Sequence, residues 1–297
     1  MSRDHLAIGV VSMLAADPGT GKSFLARLLA AEVANGGEWP GGISVSPGKV
    51  LIADGEDGPE ETRRRLDALG FGRWGRIVLV QLPVEEWTEQ RPLPRLNEFI
   101  YALELTLKAR GPFSLVIIDP MVAFHNENEN SSTAMRKFMM ETARLAREHH
   151  AAILLIHHLN KAQKTGDLAS IRGSSDLLAA PRCVLTVMDT RDPDVKALVV
   201  IKTNLGPRPE PQGFRIVDGR IEWVGPVKAL DPRATQEDAA RELIDELLGS
   251  GAAVSARTIY NRAWDMGIGS GTLERVARIM DVIKRTEGKH HIKVWQL

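Results

Sequence analysis

The 297-residue sequence has a single cysteine, Cys183, so no disulfide can form within the chain and none staples its fold. A reducing compartment suits such a chain, and the cytoplasm is the expected location. An excess of either charge is also missing: 38 Lys and Arg balance 38 Asp and Glu. That excludes a protein that coats nucleic acid through bulk positive charge and leaves any DNA contact to local basic patches. No apolar run approaches the roughly 20 residues a membrane span requires. The start, MSRDHLAIGVV, lacks a basic region followed by a long apolar core. No internal repeat or low-complexity tract occurs, and the apolar and charged fractions are ordinary, which argues against disordered and fibrous classes.

What is present is an alternation. The apolar runs IGVVSMLAA, VLIA, IVLVQL, SLVIID, AAILLIH, CVLTVM and ALVVIK are separated by segments with helical spacing at Ser23–Ala34, Pro59–Leu69, Leu96–Ala109 and Thr133–Glu148. Several runs are apolar on both faces, as in strands covered by helices on each side. The pattern predicts an α/β fold, a doubly wound and mainly parallel sheet, over residues 1–224. GFRIV and RIEWV flank Asp218-Gly219 and predict a β-hairpin. Residues 225–236, GPVKALDPRATQ, read as a linker to a smaller domain at 237–297.

Ala16-Asp17-Pro18-Gly19-Thr20-Gly21-Lys22-Ser23 lies between a strand and a helical segment that opens with Phe24. This is a phosphate-binding loop, with Ala16 where the motif usually has its first glycine. Its glycines let backbone N–H groups close on phosphates, and the helix N-terminus adds its dipole. Asp17 through Phe24 are therefore expected to hold ATP, with Lys22 on the β- and γ-phosphates and Ser23 on Mg²⁺. The run Ser114–Asp119 ends in a carboxylate suited to the same Mg²⁺; on its own such an Asp is more often a helix cap, and its pairing with the phosphate-binding loop favours the metal role. Three acids follow the next strand, Asp54, Glu56 and Asp57. A carboxylate there suits the general base of nucleotide hydrolysis; Glu56 is the leading candidate, with Asp57 read as the cap of the helix entered at Gly58-Pro59.

Taken together these residues resemble the RecA/DnaB-like ATPases, and most closely the RepA-type hexameric helicases. The resemblance rests on the Glu56-Asp57 pair and on Phe124-His125 followed by acids and Asn. It rests further on His157-His158 with Lys161 nearby and on Arg172-Gly173-Ser174-Ser175, in order between Val10 and Gly206. It implies a RecA-like domain in which His158 senses the γ-phosphate. It also implies that Lys161, Lys164 and Arg172, on a channel loop, contact single-stranded DNA; a solvated polar loop is the plainer reading. Phe124–Ser132 corresponds to the other channel loop, although Glu127 and Glu129 would repel DNA. Arg182 matches the arginine finger given to a neighbouring subunit, and Lys202 a second such cation. An ordinary surface ion pair is the alternative for either. Asn204 stands where DnaB-like relatives carry Arg. The implied assembly is a homo-oligomer, a hexameric ring, without a membrane partner. Family members have a longer segment before the first strand, so ring formation here would use other contacts or a start further upstream.

In the C-terminal stretch, Ala240, Leu243, Ile244 and Leu247 share one helical face, and Ser255 suits the cap of a second helix. A third, read as Thr272–Lys284, presents Arg275 and Arg278, and two short strands turn at Gly288 beside Lys289. This resembles a winged helix-turn-helix that binds duplex DNA or, alternatively, a protein. From Gly271 onward six Lys/Arg face three Asp/Glu. The combined expectation is a replicative helicase that hydrolyses ATP between subunits while moving on DNA. The rivals are a recombination or repair ATPase that does not unwind, and a nucleotide-switched DNA-binding regulator.

Overall fold

Six of the seven apolar runs lie side by side as parallel strands: β1 (Val11–Ala16), β4 (Val50–Asp54), β5 (Ile77–Gln81), β6 (Leu115–Asp119), β7 (Ala152–His158) and β8 (Cys183–Asp189). The seventh, β9 (Lys196–Thr203), returns antiparallel to β8. It is followed by the hairpin of β10 (Gln212–Val217) and β11 (Arg220–Pro226). The resulting nine-stranded sheet has the order β11-β10-β9-β8-β1-β7-β6-β4-β5. Asp218 and Gly219 both take positive φ, 49° and 73°, as a two-residue hairpin turn demands. A two-stranded ribbon, β2 (Glu38–Trp39) and β3 (Ile43–Ser44), precedes β4. The computed structural model describes residues 6–70, 74–81, 96–124, 131–159, 177, 179–230, 232–287 and 292–297.

The strands are buried on both faces because their side chains alternate between two apolar layers. Leu14, Ile52, Ile117, Leu154 and Ile156 join one cluster with Leu25 and Leu29 of α1 (Lys22–Asn35) and Leu66 of α2 (Pro59–Ala68). Met13, Leu51, Val116, Ile118, Ile153 and Leu155 join the other. That layer includes Phe99 and Leu103 of α3 (Leu96–Arg110) and Phe138 and Met139 of α4 (Ser132–Glu148). Each large apolar side chain so buried contributes about 1.5–3 kcal/mol. No helix among the described residues is long and apolar enough to cross a membrane.

The chain divides into two compact units, the first reaching Ala229 and the second running Leu230–Leu297. The second holds α5 (Pro232–Leu248), α6 (Ala256–Asp265) and α7 (Ser270–Ile279). Its sheet has the order β12-β14-β13, from β12 (Val254–Ser255), β13 (Ile283–Glu287) and β14 (Ile292–Gln296). Its core comprises Leu243, Ile244, Ile259, Leu273, Val276 and Trp295. Ser255 caps α6, accepting the Thr258 N–H at 3.1 Å. Two expectations need correction. The stretch read as a linker becomes helical at Pro232. The third helix ends at Ile279 rather than at Lys284: Asp281 has φ 56°, which breaks the helix, and Ile283 and Lys284 belong to β13.

Candidate active site

The carboxyl ends of β1, β7, β6 and β4 converge at one edge of the sheet, where open parallel sheets bind ligands. Register places Ala16 beside His158 and Asp54 beside Asp119. After Ala16 the chain enters the predicted loop, where the Thr20 hydroxyl donates to the Asp17 carbonyl at 2.8 Å. Gly19 and Gly21 have φ of 79° and 87°. Gly21 caps α1 with no side-chain hydrogen bond, which leaves the amides of the first helical turn turned toward an anion. The φ disfavours any Cβ there, and one built on Gly21 would approach Ile216 Cδ1 of β10 to 2.6 Å. The backbone conformation is what calls for glycine, since the Ile216 side-chain end could shift. Pro18 is exposed, Asp17 half-buried and Lys22 buried.

The Ser23 hydroxyl approaches Asp119 Oδ1 at 3.4 Å. These two oxygen donors at the phosphate-binding loop fit Mg²⁺, which takes few protein ligands and completes its shell with phosphates and water. The other Asp119 oxygen, Oδ2, accepts from Arg27 Nη1 at 2.8 Å. Arg27 is 1% exposed, and its Nη2 also meets Asp54 Oδ2 at 2.7 Å and Asp57 Oδ2 at 2.8 Å. Burial alone would disfavour its charge, but the carboxylates of Asp119, Asp54 and Asp57 outweigh burial and raise its pKa.

The three acids after β4 differ in what they have left to offer. Asp54 is 1% exposed and fully engaged: Oδ1 accepts the N–H groups of Glu56 (3.2 Å) and Asp57 (3.0 Å), and Oδ2 accepts from Arg27 and the Thr62 hydroxyl. Asp57 does not cap α2, contrary to expectation. Gly58 is the N-cap with Pro59 following, and the Asp57 carboxylate turns to Arg27 and to Arg65 at 2.6 Å. Burial pushes the Asp57 carboxyl up; the two arginines oppose the rise, and Asp54 and Asp119 add to it. Glu56 has a side chain 54% exposed, and its Oε1 lies 3.8 Å from His158 Nε2. Burial and the Lys22 charge lower the His158 pKa, only partly offset by Glu56, so the ring is neutral near pH 7. The pair is therefore a contact between a neutral imidazole and a carboxylate, too long for a hydrogen bond. Phe24 packs its ring under the Arg65 guanidinium, 5.0 Å from centroid to Cζ.

A family model described as an AAA domain matches residues 1–164 of the 297. The chain belongs to the AAA domain family. This AAA-domain protein also shares its fold with solved structures of low sequence identity. It is similar to the ATPase domain of G40P at 13% identity, with a TM-score of 0.55 over 76% of this chain and 86% of that one. A DnaB-like replicative helicase matches at 14% and 0.55, over 72% of this chain and 57% of that one. The RadB recombinase matches at 18% and 0.53, over 75% and 93%. The fold is RecA-like, and the AAA-domain protein is a P-loop ATPase.

The remaining predicted residues of the AAA-domain protein lie elsewhere. Arg182 is exposed just before β8, and its N–H bonds the Val11 carbonyl at the start of β1, the end of the strand opposite the phosphate-binding loop. Lys202 donates to the Ala179 carbonyl at 2.8 Å; burial, and then Arg182 nearby, lower its pKa. Arg275 and Arg278 are exposed on α7, and Arg275 is ion-paired to Glu237. Lys161, Lys164, Arg172 and Lys289, and the stretch from His125 to Asn130, lie outside the described residues. Sequence reasoning missed Arg27. Its signal was one arginine inside an otherwise apolar helical run, FLARLLAAEVA, four residues after Ser23.

Proposed function

We propose that this protein is an ATP-driven DNA motor of the RepA-like helicase type, which hydrolyses ATP at sites shared between subunits of a homo-oligomeric ring. The observation that carries the reading is the position of Arg182. β1 separates Val11, to which Arg182 is bonded, from the phosphate-binding loop after Ala16. Six residues of strand span about 16 Å, further than an arginine side chain reaches. Arg182 is therefore out of reach of a phosphate bound by its own chain, which supports its service to a neighbouring copy, with Lys202 as the second cation.

At the site itself, backbone N–H groups from Gly19 to Ser23 and the Lys22 ammonium bind the β- and γ-phosphates. Ser23 and Asp119 would hold Mg²⁺, which when bound neutralises charge on the phosphate oxygens. Of the three acids, only Glu56 keeps its carboxylate toward solvent and clear of an arginine, which supports its role as base. Glu56 accepts a proton from the water that attacks the γ-phosphorus, the bond to the β,γ-bridging oxygen breaks, and ADP leaves with the charge that Arg182 of a neighbour stabilises. His158, neutral and in contact with Glu56, senses the γ-phosphate, and Lys161, Lys164 and Arg172 contact the DNA strand. Helices α5–α7 and the antiparallel β12-β14-β13 sheet support a winged helix-turn-helix reading of the second unit, with Arg278 on α7 available to duplex phosphates, Arg275 shared with Glu237, and Lys289 a further DNA contact.

A forked duplex with a labelled strand tests the reading against its rivals. With ATP and Mg²⁺ the protein is expected to release the strand, and the Lys22→Ala variant to release none. Hydrolysis without strand release would favour a non-unwinding recombination or repair ATPase. Slow hydrolysis with a sequence-specific footprint would favour a regulator.

A further inference from the structure

α1 is buried along most of its length, and among its buried Leu, Ala and Val residues Arg27 is a full charge. A lone buried cation is expensive unless paired, and this one is paired three times over. Its two terminal nitrogens divide the work. Nη1 holds Asp119 Oδ2 and reaches back to the Ser23 carbonyl at 3.1 Å; Nη2 holds Asp54 and Asp57. Asp119 is thereby fixed in its plane, one oxygen toward Arg27 and the other toward the Ser23 hydroxyl. Asp54 is fixed likewise, and its second oxygen gathers the backbone N–H groups of Glu56 and Asp57. The Gly55 N–H adds a bond to the Asp119 carbonyl at 2.8 Å, so the turn that carries Glu56 is anchored to β6 as well. Three carboxylates, Asp54, Asp57 and Asp119, meet the guanidinium groups of Arg27 and Arg65 in this cluster, so one formal negative charge is left over and a divalent cation is favoured at the Asp119 oxygen that faces Ser23.

We propose that Arg27 is a positioning residue for hydrolysis. It orients the Asp119 oxygen that faces the Ser23 hydroxyl and, through Asp54, places the turn that carries Glu56. The inference rests on the ATPase reading above and adds the element that registers the phosphate-binding helix against the other two parts of the site. A guanidinium is required because its nitrogens lie in a fixed fork that bridges carboxylates on two strands, whereas a lysine ammonium presents its donors from one point.

The test compares Arg27→Lys, Arg27→Met and Thr62→Val with the native chain. Thr62→Val removes only the hydroxyl that Asp54 Oδ2 accepts, which keeps the proposal falsifiable if an Arg27 variant fails to fold. Arg144→Met is the control for lost ion pairs away from the site, since Arg144 joins Glu104, Glu141 and Glu148 on α3 and α4. The readouts are kcat, KM, thermal melting, and affinity for a fluorescent ATP analogue with Mg²⁺ and with EDTA. Both Arg27 variants are expected to bind the analogue in EDTA within about threefold of native and to lose about 10²-fold in kcat. Their KM should change by less than about threefold, and the gain in affinity that Mg²⁺ gives should shrink. Thr62→Val should lose about tenfold in kcat with little change in melting, and Arg144→Met should keep its kcat. Native kcat in Arg27→Lys, or a loss in the Arg27 and Thr62 variants that only follows their unfolded fraction, overturns the proposal. If the native chain binds nucleotide and never hydrolyses it, the ATPase reading has failed. Only the placing of Asp119 by Arg27 is then at issue, and binding decides it: an unchanged Mg²⁺ gain in Arg27→Lys overturns it, and loss of that gain sustains it.

Discussion

Replacing Glu56 by Gln is expected to lower the ATPase kcat by about 10³-fold while leaving nucleotide affinity within about threefold. The substitution keeps the size of the side chain and removes its negative charge and its ability to accept a proton. A loss of that size corresponds to about 4 kcal/mol of transition-state stabilisation, within the range of a positioned general base. The neighbouring acids cannot substitute for it. Asp54 spends both oxygens on the turn, Arg27 and Thr62, and Asp57 is held by Arg27 and Arg65. Single-turnover hydrolysis beside equilibrium binding of an ATP analogue measures both quantities. A fall in affinity equal to the fall in rate would make Glu56 a binding residue. An unchanged rate would move the base to another group.

Arg182→Ala is expected to lower kcat by about 10³-fold, at the lower end of what an arginine given to a phosphoryl-transfer site contributes. Its effect has a second, sharper signature. If the side chain acts on the neighbouring subunit, an equimolar mixture of Arg182→Ala and Glu56→Gln chains recovers activity that neither has alone. An Arg182→Ala subunit still has its own Glu56 and can receive Arg182 from a Glu56→Gln neighbour. Random mixing makes roughly a quarter of the interfaces competent, so recovery of up to about a quarter of the native rate is expected. Mixing followed by a steady-state ATPase assay checks this. Full activity of Arg182→Ala alone, or a mixture as inactive as its components, would remove the shared-site mechanism.

Much of the site was legible because its signals are local. A strand, a glycine-rich loop with Lys22-Ser23 and an apolar helix follow in sequence, and backbone geometry alone places them at a strand end. The runs ending in Asp119 and His158 were legible as buried strands by their unbroken apolar character, and Asp218-Gly219 by its turn chemistry. What was not legible depends on pairing across the sheet. Arg27 sits at helical spacing that reads as apolar, and only the register that sets Asp54 beside Asp119 gives it partners. The same pairing draws Asp57 away from the cap position, which Gly58 fills without a side-chain bond. In the second unit, the helix read through to Lys284 stops at Ile279 because one residue, Asp281, adopts positive φ, a change that apolar spacing does not record.

The central claim, that ATP hydrolysis here is coupled to DNA, is tested most directly by the ATPase rate of the native chain with and without single-stranded DNA at constant salt. Salt must be fixed because contacts to the phosphate backbone weaken steeply with ionic strength. Stimulation of about tenfold or more by single-stranded DNA is expected, absent in Glu56→Gln and in Arg182→Ala. A rate indifferent to single-stranded and duplex DNA alike would contradict the motor reading and leave a nucleotide-switched protein in its place.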